Sequence, residues 1–320
     1  MNLPPDFIRT IQTAFGDDGR DMLARLPELI AEASLRWGLA EDVQPVPNLS
    51  YNFVAFAKRP STTPQNARGS AQDEVILKIG VPHKELNSEM EALKFFNGEG
   101  VCQLLECDEE KGMFLLERLK PGKMLSELED DDERTHIAVD VMQKLWRPLE
   151  TSGLPLAQEL APAFHKFIKL SDWFDGLKEI RPHFEGGTGP FPTEILERVE
   201  SSLPELFADE HCLIHGDFHH FNILSSERGW LVIDPKGVIG PAGYEIGPLM
   251  LNPWGSLMDN DQFKVQTKRR VDILHERLGW EREMTIQWAL AHAVLSAWWD
   301  YPNLDWNYSL NCAKIFSELK

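Results

Sequence analysis

Two short apolar runs, Leu213-Ile214 and Ile223-Leu224, bracket the segment His215-Gly-Asp-Phe-His-His-Phe-Asn222. The frame reads as strand, polar loop, strand, with Asp217 and Asn222 five positions apart on the loop. About a dozen residues later, Trp230-Leu-Val-Ile-Asp-Pro-Lys-Gly237 sets Asp234 at the end of another apolar run, ahead of a sharp turn. Few folds display a carboxylate, an amide and a second carboxylate from successive strand ends. Phosphoryl transfer to a hydroxyl needs such a set. One carboxylate orients the hydroxyl, and a neutral and an anionic oxygen hold Mg²⁺.

Upstream, Lys78 interrupts the β-rich run Val75-Ile-Leu-Lys-Ile79, which Gly80 and Pro82 end. A helical spacing follows over residues 85–96. Glu89 shares a face there with Ala92, Leu93 and Phe96, so it can point inward; Glu85 and Glu91 are its competitors as a partner for Lys78. The opening segment repeats apolar residues at helical spacing from Phe7 to Trp37, and Gly38 is a plausible cap. Strands are expected over residues 43–46, 51–57, 74–79, 104–107 and 113–119, with a polar loop at 59–72. From residue 121 the pattern is helical except for strands at 212–215 and 230–234, and helices over 285–299 and 303–320 close the chain. This predicts an α+β, two-lobed architecture: a small antiparallel sheet with one helix inserted after its third strand, then a larger helical lobe, with a cleft between them. The expected division is 1–118 and 119–320.

With 320 residues, 42% of them hydrophobic, the chain can bury a sizeable core. No run approaches the roughly 20 apolar residues of a membrane span, and no secretory leader is expected. Cys102, Cys107, Cys212 and Cys312 form no CxxC pair, which fits free thiols in the cytoplasm. The net charge of −19 argues against nucleic acid as a partner and is compatible with a cationic one.

These motifs resemble the aminoglycoside phosphotransferase family, within the protein-kinase-like fold, and more narrowly its streptomycin 6-phosphotransferase and hydroxyurea phosphotransferase branch. Leu115-Leu-Glu-Arg-Leu-Lys-Pro-Gly122, Glu245-Ile-Gly-Pro248 and the segment from Trp288 to Trp299 add to the resemblance. It implies a small-molecule kinase using ATP or GTP with Mg²⁺. Asp217 would be the catalytic carboxylate, and Asn222 and Asp234 the metal ligands. Lys78, held by Glu89, would grip the phosphates, and His215 would brace the loop. The backbone from Glu117 to Leu119 would meet the adenine edge. Residues 48–53, including Ser50, would replace a glycine-rich loop, because no G-x-G-x-x-G occurs there. Asp234-Pro-Lys also stands where kinases carry Asp-Phe-Gly. The expected acceptor is a streptomycin-like aminoglycoside, with hydroxyurea, a sugar or an amino alcohol as the alternative.

Two other classes are open to these residues. His215, Asp217, His219 and His220 could form a metallohydrolase site, which requires further ligands such as His275 or His292. A non-catalytic nucleotide-binding module would lack Asp217, Asn222 or Asp234, and none is lost. The acidic run over residues 127–133 reads as a solvated loop or helix start. Asp172, Asp175, Asp259, Asp261, Asp300 and Asp305 are candidates to face a cationic acceptor. Trp254, Trp298 and Trp299 are expected in the core.

Overall fold

The computed structural model describes residues 3–60, 72–148, 164–208, 211–253, 260–302 and 306–319. The expectations for Trp254, Asp259, Asp305 and most of the 59–72 loop fall outside these residues. The chain divides into two compact units, Met1–Lys120 and Pro121–Lys320.

In the first unit, helix α1 (Pro5–Trp37) ends on Gly38, whose backbone N–H returns to the Ser34 carbonyl. The single periodic helix expected from the sequence is broken at Gly16, where φ is 57°. Five antiparallel strands follow: β1 (Gln44–Pro45), β2 (Phe53–Pro60), β3 (Gln72–Ile79), β4 (Leu104–Asp108) and β5 (Met113–Glu117), in the order β1-β2-β3-β5-β4. Residues 59, 60 and 72, read as loop, are strand, because β2 and β3 stay paired to Pro60↔Gln72. Helix α2 (Lys84–Phe96) lies between β3 and β4.

The register explains the position of Lys78. Phe53, Ile79 and Met113 align across the sheet, as do Ala55, Leu77 and Leu115, and all six share one core with Leu26, Leu29 and Ala33 of α1. Alternation then turns Val54, Lys78 and Phe114 to the other face.

The second unit has more strand than the two runs expected. A three-stranded antiparallel sheet joins β6 (Pro121–Met124), β10 (Ile223–Ser226) and β11 (Gly229–Val232). A second sheet joins β7 (Arg147–Pro148), β8 (Ile168–Lys169), β9 (His211–Ile214) and β12 (Val238–Pro241) in the order β7-β9-β12-β8. At two to four residues each, they are too short for a periodic signal; partners distant in sequence hold them. The helices are α3 (Asp131–Leu145), α4 (Leu170–Asp175), α5 (Ile180–His183), α6 (Thr193–Leu206), α7 (Ile246–Leu251), α8 (Asn260–Leu278), α9 (Arg282–Asp300) and α10 (Trp306–Ser317). Helix α9 runs through the core, with Trp288, Leu290 and Leu295 fully buried.

The acidic run proves to be a helix start. Asp130 caps α3 by accepting from the Asp132 and Glu133 N–H groups. Asp131 accepts two hydrogen bonds, of 2.8 and 2.7 Å, from Arg270, which is 1% exposed and also donates to the Leu249 and Asn252 carbonyls. Arg270→Met strands those acceptors in the interior. We expect a loss of about 3 kcal/mol, read as a lowered denaturation midpoint. An unchanged midpoint would show the ion pair to be dispensable.

Candidate active site

The loop between β9 and β10 is stitched to the segment between β11 and β12. Ile214 pairs with Val238 and Ile223 with Val232. The Lys236 N–H donates to the His215 carbonyl (2.7 Å), and the Ile233 N–H to the Asn222 carbonyl (2.9 Å). Asp217, Asn222 and Asp234 are thereby gathered at the base of the β10–β11 hairpin. Asn222 just precedes β10, and Asp234, with φ at 57°, follows β11.

Each residue of the loop has a physical reason. Gly216 has φ at 84°, and a Cβ there would lie 2.5 Å from Val238 Cγ2, so no side chain fits. His215 is fully buried. Its Nδ1 accepts from the Asp217 N–H (3.2 Å) and its Nε2 meets the Ile233 carbonyl (2.8 Å), which defines the Nε2–H tautomer. Burial lowers its pKa to about 4, so the ring is neutral. Below it, Glu245 is also fully buried and accepts the N–H groups of His215 and Gly216. Burial pushes its pKa up to about 8, against those two hydrogen bonds.

The Asp217 side chain keeps 39% exposure. Desolvation works to raise its pKa, but His219, Lys236, His215 and His292 outweigh it and hold the carboxyl below its usual range. His219 Nε2 lies 3.4 Å from Asp217 Oδ1. The Asn222 amide donates through Nδ2 to the Asp217 carbonyl (3.0 Å), which turns Oδ1 away from that bond. Asn222 and Asp234 are hard oxygen donors, one neutral and one anionic, and their chemistry suits Mg²⁺.

In the first unit, Lys78 is 2% exposed and donates to both Glu89 oxygens, at 2.6 and 2.8 Å. Its ammonium also lies 5.6 Å from the centre of the Phe114 ring. Glu91 binds Lys94 instead, and Glu85 is exposed. Ser50 is exposed on the β1–β2 connection. Glu117 ends β5, where its carboxylate accepts the Gln103 N–H (3.0 Å), and Leu119 is buried beyond it.

The metallohydrolase set does not assemble. Both nitrogens of His215 are engaged by backbone, His275 Nδ1 meets the Trp280 carbonyl (2.7 Å), and His292 Nδ1 meets the Tyr244 hydroxyl (3.1 Å). Among the described residues no three His, Cys, Asp or Glu side chains converge to hold a metal. No described helix is long and apolar enough to cross a membrane. None of Cys102, Cys107, Cys212 and Cys312 forms a disulfide. A pocket of about 490 Å³ lies at α3 and α8, lined by Asp131, Asp132, Arg269 and the acidic candidate Asp261 among others; its lining includes none of Asp217, Asn222 and Asp234.

Sequence reasoning gave no role to Glu245. The run Glu245-Ile-Gly-Pro248 was visible without a purpose; the fold supplies one. Glu245 carries the loop, and a Cβ on Gly247 would lie 2.3 Å from that of His292, so the glycine lets α7 and α9 close on that ring.

This fold is that of the kinase-like phosphotransferases. Choline kinase LicA from Streptococcus pneumoniae aligns at a TM-score of 0.58 and 13% identity, over 92% of this chain and 99% of its own. Residues 36–302 match the family of aminoglycoside/hydroxyurea antibiotic resistance kinases, and the chain belongs to that family. It is thus a small-molecule kinase. Streptomycin 6-kinase of Streptomyces glaucescens is 26% identical over 302 residues, 94% of this chain and 91% of its own length. Hydroxyurea phosphotransferase of Kitasatospora aureofaciens is 27% identical over 305 residues, 94% and 80% respectively.

Proposed function

We propose that this chain moves the γ-phosphoryl group of ATP or GTP to a hydroxyl of a streptomycin-like aminoglycoside, in the cytoplasm, with Mg²⁺. Residues 1–118 bind the nucleotide. Residues 119–320 bind the acceptor and carry the catalytic loop. The observation that carries this reading is the gathering of Asp217, Asn222 and Asp234 on one stitched loop pair, over a neutral His215 and a buried Glu245.

Asp217 orients the acceptor hydroxyl for in-line attack and takes its proton. Asn222 Oδ1 and the Asp234 carboxylate would hold the metal, which would draw charge from the phosphate oxygens. Lys78, kept straight by its two bonds to Glu89, meets the phosphates as a fixed positive charge. The Glu117–Leu119 backbone meets the base, and the 48–53 segment with Ser50 covers the phosphates. The likeness to a hydroxyurea phosphotransferase supports a second acceptor, hydroxyurea. Other hydroxyl metabolites, sugars or amino alcohols, follow it.

A transfer screen tests the reading: purified protein with Mg-ATP or Mg-GTP, against streptomycin, other aminoglycosides, hydroxyurea, sugars and amino alcohols. Phosphorylated streptomycin is expected. Nucleotide binding without turnover on any acceptor would overturn the catalytic reading.

A further inference from the structure

Four aromatic rings of the second unit close into a circuit. Tyr244 and His292 have centroids 5.4 Å apart, His292 and Trp299 6.4 Å, Trp299 and Trp173 5.5 Å, and Trp173 and Tyr244 5.9 Å. Three of these contacts are near-perpendicular, at 80°, 80° and 86°. Rings meeting edge to face form walls, not a stack. Trp299 was expected in the core and is 48% exposed, whereas its neighbour Trp298 packs among His183, Phe184, Phe191 and Tyr301. The buried pair Tyr244–His292 is tied by its 3.1 Å hydrogen bond, and both residues lie within electrostatic reach of Asp217.

We infer that Trp173 and Trp299, standing on the Tyr244–His292 floor, form the subsite that receives an organic cation, a guanidinium or ammonium group, of the acceptor. The inference deepens the acceptor half of the proposed function and rests on it. Large rings held in fixed, partly exposed geometry beside a carboxylate attract a cation through their faces, at little conformational cost. Charge agrees: Asp172 and Asp300 flank the two tryptophans in the chain, and Asp217 lies within electrostatic reach of the floor. Burial of the floor makes it rigid; exposure of Trp299 makes the wall accessible.

Calorimetry on the nucleotide-free protein isolates the subsite from turnover. The probes are streptomycin, which carries guanidinium groups, choline, and uncharged myo-inositol. At least one cation binds more tightly than myo-inositol. Trp299→Ala and Trp173→Ala each weaken that binding about tenfold, and Trp299→Phe restores most of it. In transfer assays the same variants raise the KM of a cationic acceptor about tenfold and leave kcat, the nucleotide KM and any neutral acceptor unchanged. Trp299 is half exposed, so its replacement leaves the fold intact. The inference is overturned if neither cation outbinds myo-inositol, if both alanine variants bind cations as the wild type does, or if they weaken cationic and neutral ligands alike. Intact cation binding with no phosphate transfer to any acceptor would instead defeat the catalytic reading and leave the subsite standing.

Discussion

Asp217→Ala is expected to lower kcat about 10³-fold, roughly 4 kcal/mol of transition-state stabilisation, while the nucleotide KM stays within about twofold. A proton acceptor must be ionised at the working pH and must reach the reacting group. Asp217 is held below the usual carboxylate range by His219, Lys236, His215 and His292 despite desolvation, and its side chain remains 39% exposed. The nucleotide's own ligands are assigned to other residues, Lys78, Asn222 and Asp234, so affinity for it should survive. Asp217→Asn separates charge from shape. It puts an uncharged carboxamide of nearly the same shape in place of the carboxylate but cannot take a proton, and its kcat should fall nearly as far. Turnover within tenfold of the wild type in either variant would remove Asp217 from the chemistry.

How far the sequence led depended on the distance between cause and effect along the chain. The Lys78–Glu89 pair was legible because two local periodicities fix it. Alternation in β3 turns Lys78 away from Leu77 and Ile79, and the α2 spacing turns Glu89 inward. The strand ends around Asp217, Asn222 and Asp234 were legible from short apolar runs. The break at Gly16 was not, because helical spacing continues on both sides of it. Strands β6, β7, β8 and β12 were missed because their partners lie far along the chain. The aromatic circuit was illegible for the same reason: Trp173, Tyr244, His292 and Trp299 come from three distant segments. Trp299 was read as core from its apolar neighbours on α9, and only packing shows that it faces outward near the end of that helix.

The stability of the protein should peak near pH 6.5 and fall on both sides. His215 and His292 are buried, each with its pKa lowered to about 4 by burial. In the unfolded chain each takes a proton near pH 6.5. Between pH 6.5 and 4 the unfolded state therefore binds more protons, and stability falls as pH falls, by about 3 kcal/mol per histidine. Glu245 acts oppositely. Folded, it keeps its proton to about pH 8; unfolded, it loses it near 4.5. Its contribution is full at low pH and is lost as pH rises from 4.5 to 8, so it offsets part of the acid loss. Combined, acidification from pH 6.5 to 4 costs about 3 kcal/mol, and the rise from 6.5 to 8 about 1 kcal/mol. The net charge of −19 relaxes as pH approaches the isoelectric point near 4.9, which favours the compact state, so variants must isolate the site. Glu245→Gln keeps an acceptor for the His215 and Gly216 N–H groups and cannot ionise. It should abolish the alkaline limb of a denaturant-midpoint profile and steepen the acid one. His292→Gln should remove most of the acid limb, because Glu245 then offsets nearly all of what His215 alone contributes. Profiles for both variants that run parallel to the wild type from pH 4 to 8 would mean these buried groups do not set the stability of the site.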